Sequence, residues 1–517
     1  KNYLVVTGSN DLTAFKNHNI YAIGEHCLIN DGVYDFQNSK KMTVIKFHWK
    51  DRKKLEFDYK YLENLFEKVL KYLTFSLNQY HGTNNNSHYW RIVLSPWILD
   101  YLSVIFDRWE NITVATNDYK LDTFIIQHSK DIYTIDYKDF KNLSYTDNWN
   151  SKLYEELIRF RKININIQKT NLIIKQKDDT NFSFSNKKST PIVELRKSLL
   201  IFLSKIFSNK KTLIKSLEFN FLSFLKISFL SKNLFFNDKY FERYLSKSFV
   251  RKHDRENFKI DMDTVNDFEV FLKKRIIIDL PMAYLENYKF FLKNIPKYRP
   301  EKIFTANDHY WNEYFKIFSA ECVNKGSELN IVEHGGSIVS KFRIFNFEEK
   351  ISNKKITWCK PFIKNQFQFM PPKYIFTKKN NGKLKRKILI MLSSFNTHTP
   401  RCRCGPLSSL WKEDIDQKIN LIAKLCDLSK KNKFRIHVRA GSNDRWGNNK
   451  IIKEIFGNVI LSQEKEAIKD IISSDLVICP YPETSFSDCV MTNTPAILLY
   501  KNDHWEFEND FKILEEK

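Results

Sequence analysis

The sequence predicts an α/β protein built on parallel, Rossmann-like sheets. Three observations lead there. Short β-like runs alternate with stretches of helical apolar spacing at the start of the chain, the same rhythm returns near residue 300, and four or five strands alternate with helices beyond residue 385. At 517 residues the chain is long enough for two or three domains, each with its own core.

In the N-terminal part, residues 3–7, 20–23 and 42–47 read as strands, and residues 59–78 and 89–109 carry apolar side chains at helical spacing. From residue 150 to 300 long apolar stretches punctuated by lysine, such as 199–207 and 219–229, read as a helical insertion. Such a surface could rest on an anionic bilayer, although apolar residues at i, i+3 and i+4 more often face a protein core. The α/β rhythm then resumes with a strand at 302–305, a helix at 309–325 closed by Gly326, and a strand at 329–332 that ends in Glu333-His334-Gly335-Gly336. Residues 380–386 are polar, basic and glycine-bearing, the composition of a linker. Beyond it come strands at 387–392, 434–438, 459–461, 476–479 and 496–500, with helices at 415–429, 464–472 and 485–492. This is a doubly wound sheet, which takes ligands at the carboxyl ends of its strands. The expected domains are 1–149, an insertion at 150–300, the remainder of the N-terminal domain at 301–379, and a C-terminal domain at 380–517.

Composition narrows the partners. The chain carries 84 Lys and Arg against 60 Asp and Glu, an excess that favours anionic partners such as nucleotides, nucleic acid or acidic membrane, or that is simply scattered over solvated surface. Eight cysteines in so long a chain, several in apolar surroundings, fit reduced thiols in a cytosol. Cys402-Arg403-Cys404 is too tightly spaced for a zinc knuckle, and no second pair follows it. The first residue is Lys1 rather than Met, the run at 3–7 is too short for a signal peptide, and no stretch of ~18 apolar residues offers a membrane span. A Walker-type phosphate loop, the G-x-G-x-x-G fingerprint, H-E-x-x-H and G-x-S-x-G are all missing, which disfavours kinases, dehydrogenases, zincins and α/β-hydrolases.

Five strand ends could carry chemistry. In Pro480-Tyr481-Pro482-Glu483-Thr484-Ser485-Phe486-Ser487-Asp488, a loop opens a helix, so the hydroxyls of Thr484 and Ser485 and the first free amides could converge on a phosphate; ordinary capping explains the same residues. Arg439, followed by Ala440-Gly441-Ser442, sits where a guanidinium can grip phosphate or carboxylate, or merely pair on the surface. The paired glycines 335 and 336 permit positive φ or close approach to a ligand, and His334 beside them can act as acid, base or donor. Glu25, His26, His48 and Asp51 follow the early strands and could line the rim of the first sheet, where a carboxylate or imidazole could deprotonate an acceptor hydroxyl.

Several segments together resemble a family of bacterial surface-carbohydrate transferases, the LIC-type transferases named after a spirochaete member. The matching pieces are Gly24-Glu25-His26-Cys27, Phe47-His48-Trp49-Lys50-Asp51-Arg52, Leu77-Asn78-Gln79-Tyr80-His81-Gly82, Tyr89-Trp90-Arg91-Ile92-Val93-Leu94-Ser95-Pro96-Trp97, Phe106-Asp107-Arg108-Trp109-Glu110 and Glu333-His334-Gly335-Gly336. More loosely, the His-Gly-Gly turn and the Pro482-Glu483-Thr484-Ser485 loop before Asn493-Thr494-Pro495-Ala496 resemble capsule Kdo-type glycosyltransferases, which use CMP-activated 2-keto sugar acids, and CDP-glycerol glycerophosphotransferases. Those relatives carry Gln-His-Gly at the turn, where Glu333 stands here.

The resemblance implies a GT-B-like fold, two Rossmann-like domains facing a cleft, with the nucleotide in the C-terminal domain and the acceptor in the N-terminal one. It implies a glycosyltransferase moving a sugar from a nucleotide sugar, with a preference for a CMP-linked 2-keto sugar acid, to a surface glycan or lipid-linked glycan. The donor set would be Glu333, Gly335, Gly336, Arg439, Ser442, Glu483, Thr484, Ser485, Ser487 and Asp488. His334 would act from across the cleft, and the base would be Glu25 ahead of Asp51 and His48, with His26 beside them. No metal, no cofactor beyond the nucleotide-sugar co-substrate and no nucleic-acid partner are expected. The expected location is cytoplasmic, peripheral on the inner face of the cytoplasmic membrane. The rivals are a CDP-alditol phosphotransferase and a non-catalytic basic protein that binds membrane or nucleic acid.

Overall fold

The alternating runs fold into three parallel five-stranded sheets, where the sequence predicts two. The computed structural model describes residues 1–8, 18–127, 132–170, 252–335, 340–375, 377–405, 407–441 and 444–508, with parts of 195–230.

The first sheet joins β1 (Asn2–Val5), β2 (Asn19–Ala22), β3 (Met42–Val44), β4 (Thr123–Gln127) and β5 (Asn166–Thr170) in the order β3-β2-β1-β4-β5. The second joins β6 (Thr212–Lys215), β7 (Lys302–Thr305), β8 (Glu328–Val332), β9 (Lys354–Thr357) and β10 (Gln366–Gln368) in simple succession. The third, from β11 (Lys387–Met391), β12 (Arg435–Arg439), β13 (Ile460–Leu461), β14 (Leu476–Cys479) and β15 (Ala496–Leu498), repeats the first in the order β13-β12-β11-β14-β15, with α6 (Trp411–Asn432) joining β11 to β12. In the first and third sheets the strand order reverses between the first and fourth strands, and the crevice outside their carboxyl ends is where such sheets bind ligands. In the third sheet that crevice is flanked by the loops after β11 and β14.

Two expectations change here. The strands at 302–305 and 328–332 do not complete the N-terminal sheet; they pair in register with each other and with β6. The stretch 150–300 is not wholly helical, because it supplies β5 to the first sheet and β6 to the second. Within it, 221–230 does form a helix (Phe221–Leu230), while much of 199–207 lies outside the described residues.

Two long helices tie the units together. Asp51 caps α1 (Arg52–His81), its Oδ1 accepting from the amides of Lys53 and Lys54, and Gly82 at φ +68 ends it. In α2 (Ser87–Asp118) nearly every residue from Tyr89 to Arg108 is buried, as expected of a helix apolar on all sides. It packs against α1, α3 (Asp147–Phe160), α4 (Asp267–Asp279) and α5 (Glu313–Asn324). Its few buried charges reach outward: Asp100 accepts from Arg401 Nε at 2.7 Å, and Arg108 donates to the carbonyl of Thr399 at 2.6 Å. Both partners lie in the loop after β11, so the pillar of the first two units is bolted to the ligand edge of the third. No helix among the described residues is long and apolar enough to cross a membrane.

Candidate active site

The loop after β14 opens α7 (Thr484–Met491). Glu483 is the N-cap, and no side chain caps the helix. Ordinary capping by Thr484 is therefore ruled out. Its hydroxyl instead donates to the carbonyl of Gly335 at 2.8 Å, so the third sheet's loop meets the turn after β8 directly. The side chains of Glu483, Ser485 and Ser487 make no hydrogen bond among the described residues. The first-turn amides and these hydroxyls are free for an oxyanion, with the helix dipole in favour.

On the facing turn, Gly335 has φ +99, and a Cβ there would stand 2.9 Å from Thr484 Oγ1. A glycine is thus required twice, for the backbone angle and for the approach. Glu333 is buried and does not face the opening. Its Oε2 accepts from the amide of Trp358 at 3.1 Å, locking the ends of β8 and β9 together, and burial pushes its carboxyl pKa up against the pull of Lys355. His334 is exposed, with its Nδ1 3.2 Å from the amide nitrogen of Asn307, which ends the loop after β7.

The first sheet adds a histidine pair. His26 follows β2, is buried, and holds its Nε2 3.1 Å from the carbonyl of Val6 at the end of β1. Its ring lies 4.1 Å from that of His398, from the loop after β11. His398 Nε2 is 2.9 Å from Asp147 Oδ1, and Asp147 Oδ2 accepts from the amide of Gly8 at 3.2 Å. Burial drives the His26 pKa down to about 3, with His398 adding to the shift, and lifts that of Asp147 to about 6. The pair is therefore held neutral. Glu25, next to His26, is half-buried; its Oε2 accepts from Tyr34 at 2.6 Å, and burial raises its pKa while Tyr34 and Lys412 oppose. The carboxyl ends of all three sheets thus touch, β1 and β2 through His26 and Asp147, β8 through Gly335, and β11 and β14 through His398 and Thr484.

A family model described as LIC12162 family transferase matches residues 3–516. The chain belongs to this family. No curated protein matches it. The membership makes it a transferase.

Besides Glu333, four of the expected site residues are engaged by other partners. Arg439 is turned into its own sheet, where it donates to the carbonyls of Glu464 and Lys465 and pairs with Asp470. Asp488 is buried against Tyr374 and Lys373. Asp51 is the cap of α1, its Oδ1 holding two amides. His48 is buried in a pair with Asp107 at 3.1 Å. Gly336 and Ser442 lie outside the described residues.

His48, Asp58 and Glu110 bring one ligand atom each within 4.8 Å of one another, but Lys54 sits between Asp58 and Glu110 and supplies the positive charge there. Cys402 and Cys404 are both buried in the core. A basin lined by Leu384, Arg386, Lys431 and Lys433 lies at the amino ends of the third sheet's strands, away from these loops.

Sequence reasoning missed His398 and Asp147. The signal was the place of His398 directly after the first strand of a doubly wound unit, at its switch point.

Proposed function

We propose that the protein is a glycosyltransferase of GT-B type that moves a sugar from a nucleotide donor to a hydroxyl of a surface glycan or lipid-linked glycan. The observation that carries the reading is the meeting of Thr484 with Gly335, which brings an uncapped helix start against a glycine turn at the strand ends of another unit. Thr484, Ser485 and the first amides of α7 hold the donor phosphate and stabilise the charge that builds on the departing nucleotide. His334 lies beside the same turn, on the acceptor side of the phosphate.

Glu25 is the base. It sits at the rim of the first sheet, and its burial favours proton uptake from an acceptor hydroxyl. The donor sugar is a CMP-linked 2-keto sugar acid, a choice supported by the resemblance. The location is the inner face of the cytoplasmic membrane, which the basic excess suits.

Product analysis with a panel of CMP-, CDP-, UDP-, GDP- and dTDP-activated donors tests the reading. A new glycosidic bond, no phosphate in the product, and release of the nucleotide are expected. New phosphate in the acceptor together with CMP from CDP-glycerol would replace the reading with an alditol phosphotransferase. In Glu25→Gln, kcat should fall about 10²- to 10⁴-fold with KM for the donor little changed, the usual loss for a general base.

A further inference from the structure

The loop after β11 continues as Arg401-Cys402-Arg403-Cys404-Gly405. Cys402 and Cys404 point into the core, and Gly405 lies so close under Trp505 that a Cβ would stand 2.6 Å from the ring. Arg403 lies between them, and Arg401 precedes them. Arg401 shares Asp100 with Lys141, and Arg403 acts electrostatically on the same Lys141 and on Tyr145.

Their situations differ. Arg401 donates to Asp100 at 2.7 Å, and Lys141 takes the same carboxylate at 2.8 Å. That one acid is thus shared by two cations. Arg403 has no hydrogen bond and no ion pair among the described residues, and its Nε is closed off from solvent without an acceptor. That Nε has lost water without gaining an acceptor, while the half-buried side chain is otherwise open to an incoming anion that would relieve the deficit. Its surroundings favour an anion as well. Arg445 lies over the ring of Tyr145 at 5.0 Å, and Tyr481, which opens the loop leading to Thr484, stacks at 5.2 Å on the Trp505 that covers Gly405.

We propose that Arg403 binds an oxyanion of the substrate, a phosphate or a carboxylate, between the 401–405 loop and the Tyr481 end of β14. The planar fork of a guanidinium suits either group. The site lies beside the Thr484 loop, so a nucleotide sugar could place its phosphate on α7 and a second anionic group on Arg403, or span both with its phosphate. The proposal rests on the reading of this cleft as the donor site.

Isothermal titration of the whole chain with CMP, inorganic phosphate and a free 2-keto-3-deoxy sugar acid, each alone, separates the sources. The variants are Arg403→Gln, Arg403→Lys and Arg401→Gln, with the melting temperature of each measured without ligand. Wild type should bind at least one probe, and Arg403→Gln should weaken that probe roughly 10- to 100-fold, as for loss of a charge-assisted pair. Loss confined to CMP and phosphate assigns a phosphate to Arg403; loss confined to the sugar acid assigns a carboxylate. Arg403→Lys should recover part of the binding. Without ligand, Arg403→Gln should melt at or above wild type, whereas Arg401→Gln should melt lower because it strips a partner from buried Asp100.

Failure of wild type to bind any probe, or unchanged binding in Arg403→Gln, overturns the proposal. A melting temperature in Arg403→Gln as low as in Arg401→Gln, with binding intact, gives Arg403 a structural role instead. Binding lost in Arg403→Gln while wild type transfers no sugar would keep the oxyanion site and remove the glycosyltransferase reading.

Discussion

The contact between Gly335 and Thr484 can be weighed by a double-mutant cycle. In Gly335→Ala the backbone keeps φ +99, far outside the range an alanine adopts readily, at a cost of about 1–3 kcal/mol. The new Cβ would also stand 2.9 Å from Thr484 Oγ1 and push the hydroxyl off the Gly335 carbonyl, removing a hydrogen bond of about 1 kcal/mol. Together these make a loss of about 2–4 kcal/mol. Thr484→Ala alone removes only the bond. In the Thr484→Ala background the steric part vanishes, so Gly335→Ala should cost only the backbone term. The two substitutions should therefore be less than additive by about 1 kcal/mol. Urea denaturation of the four proteins reads the cycle, and hydrogen exchange at the first amides of α7 reports whether the effect is local. Strict additivity would mean that the two loops do not touch in solution, and the convergence of the second and third sheets would fall with it.

The residues reassigned by the structure make further tests. Asp51→Ala should cost about 1 kcal/mol of stability through the lost cap of α1 and leave kcat unchanged. Arg439→Ala should lower stability by about 1–3 kcal/mol through its bonds to residues 464, 465 and 470, with donor affinity as in wild type. A large loss of affinity would return Arg439 to the donor site. His26 gives a pH signature. Its folded pKa is depressed to about 3, so below pH 6.5 the unfolded chain takes up a proton that the folded one does not, and stability falls on acidification. Asp147, raised to about 6, works in the opposite sense between pH 6 and its unfolded value. Replacing His26 by Gln should therefore lower the slope of unfolding free energy against pH, between 6 and 4, by about 1.4 kcal/mol per unit. An unchanged slope would mean that His26 is not held neutral by burial.

Much of the third unit was legible because every strand of a doubly wound sheet ends in a loop that polar, glycine-bearing sequence marks. The strand expected at 476–479 is Leu476–Cys479, and the helix expected at 485–492 is Thr484–Met491. The second sheet was not legible as a separate unit. Its first strand, Thr212–Lys215, is four residues within a lysine-rich apolar stretch without clear alternation, and parallel strands carry no local mark of the sheet they join.

The same division runs through the site. Strand-end position pointed to Thr484, Gly335 and His26, and all three lie at contacts between units. What position does not show is the distant partner that engages a side chain, such as Asp470 for Arg439, Trp358 for Glu333 or Tyr374 for Asp488. Asp51 was readable as a cap, since an Asp before a helix start offers its oxygen to the first amides, but the expected start at 59 lay seven residues too late to show it.

The central claim is that the loops of the second and third sheets form one nucleotide-binding wall around Thr484 and Gly335. Hydrogen exchange of the whole chain, with and without CMP, CDP, UDP, GDP or dTDP, tests it directly. At least one nucleotide should slow exchange in the 480–488 loop and at the turn carrying Gly335 together, and Thr484→Ala should weaken both effects. Protection confined to the basin around Arg386 and Lys433, or none with any nucleotide, would contradict the account.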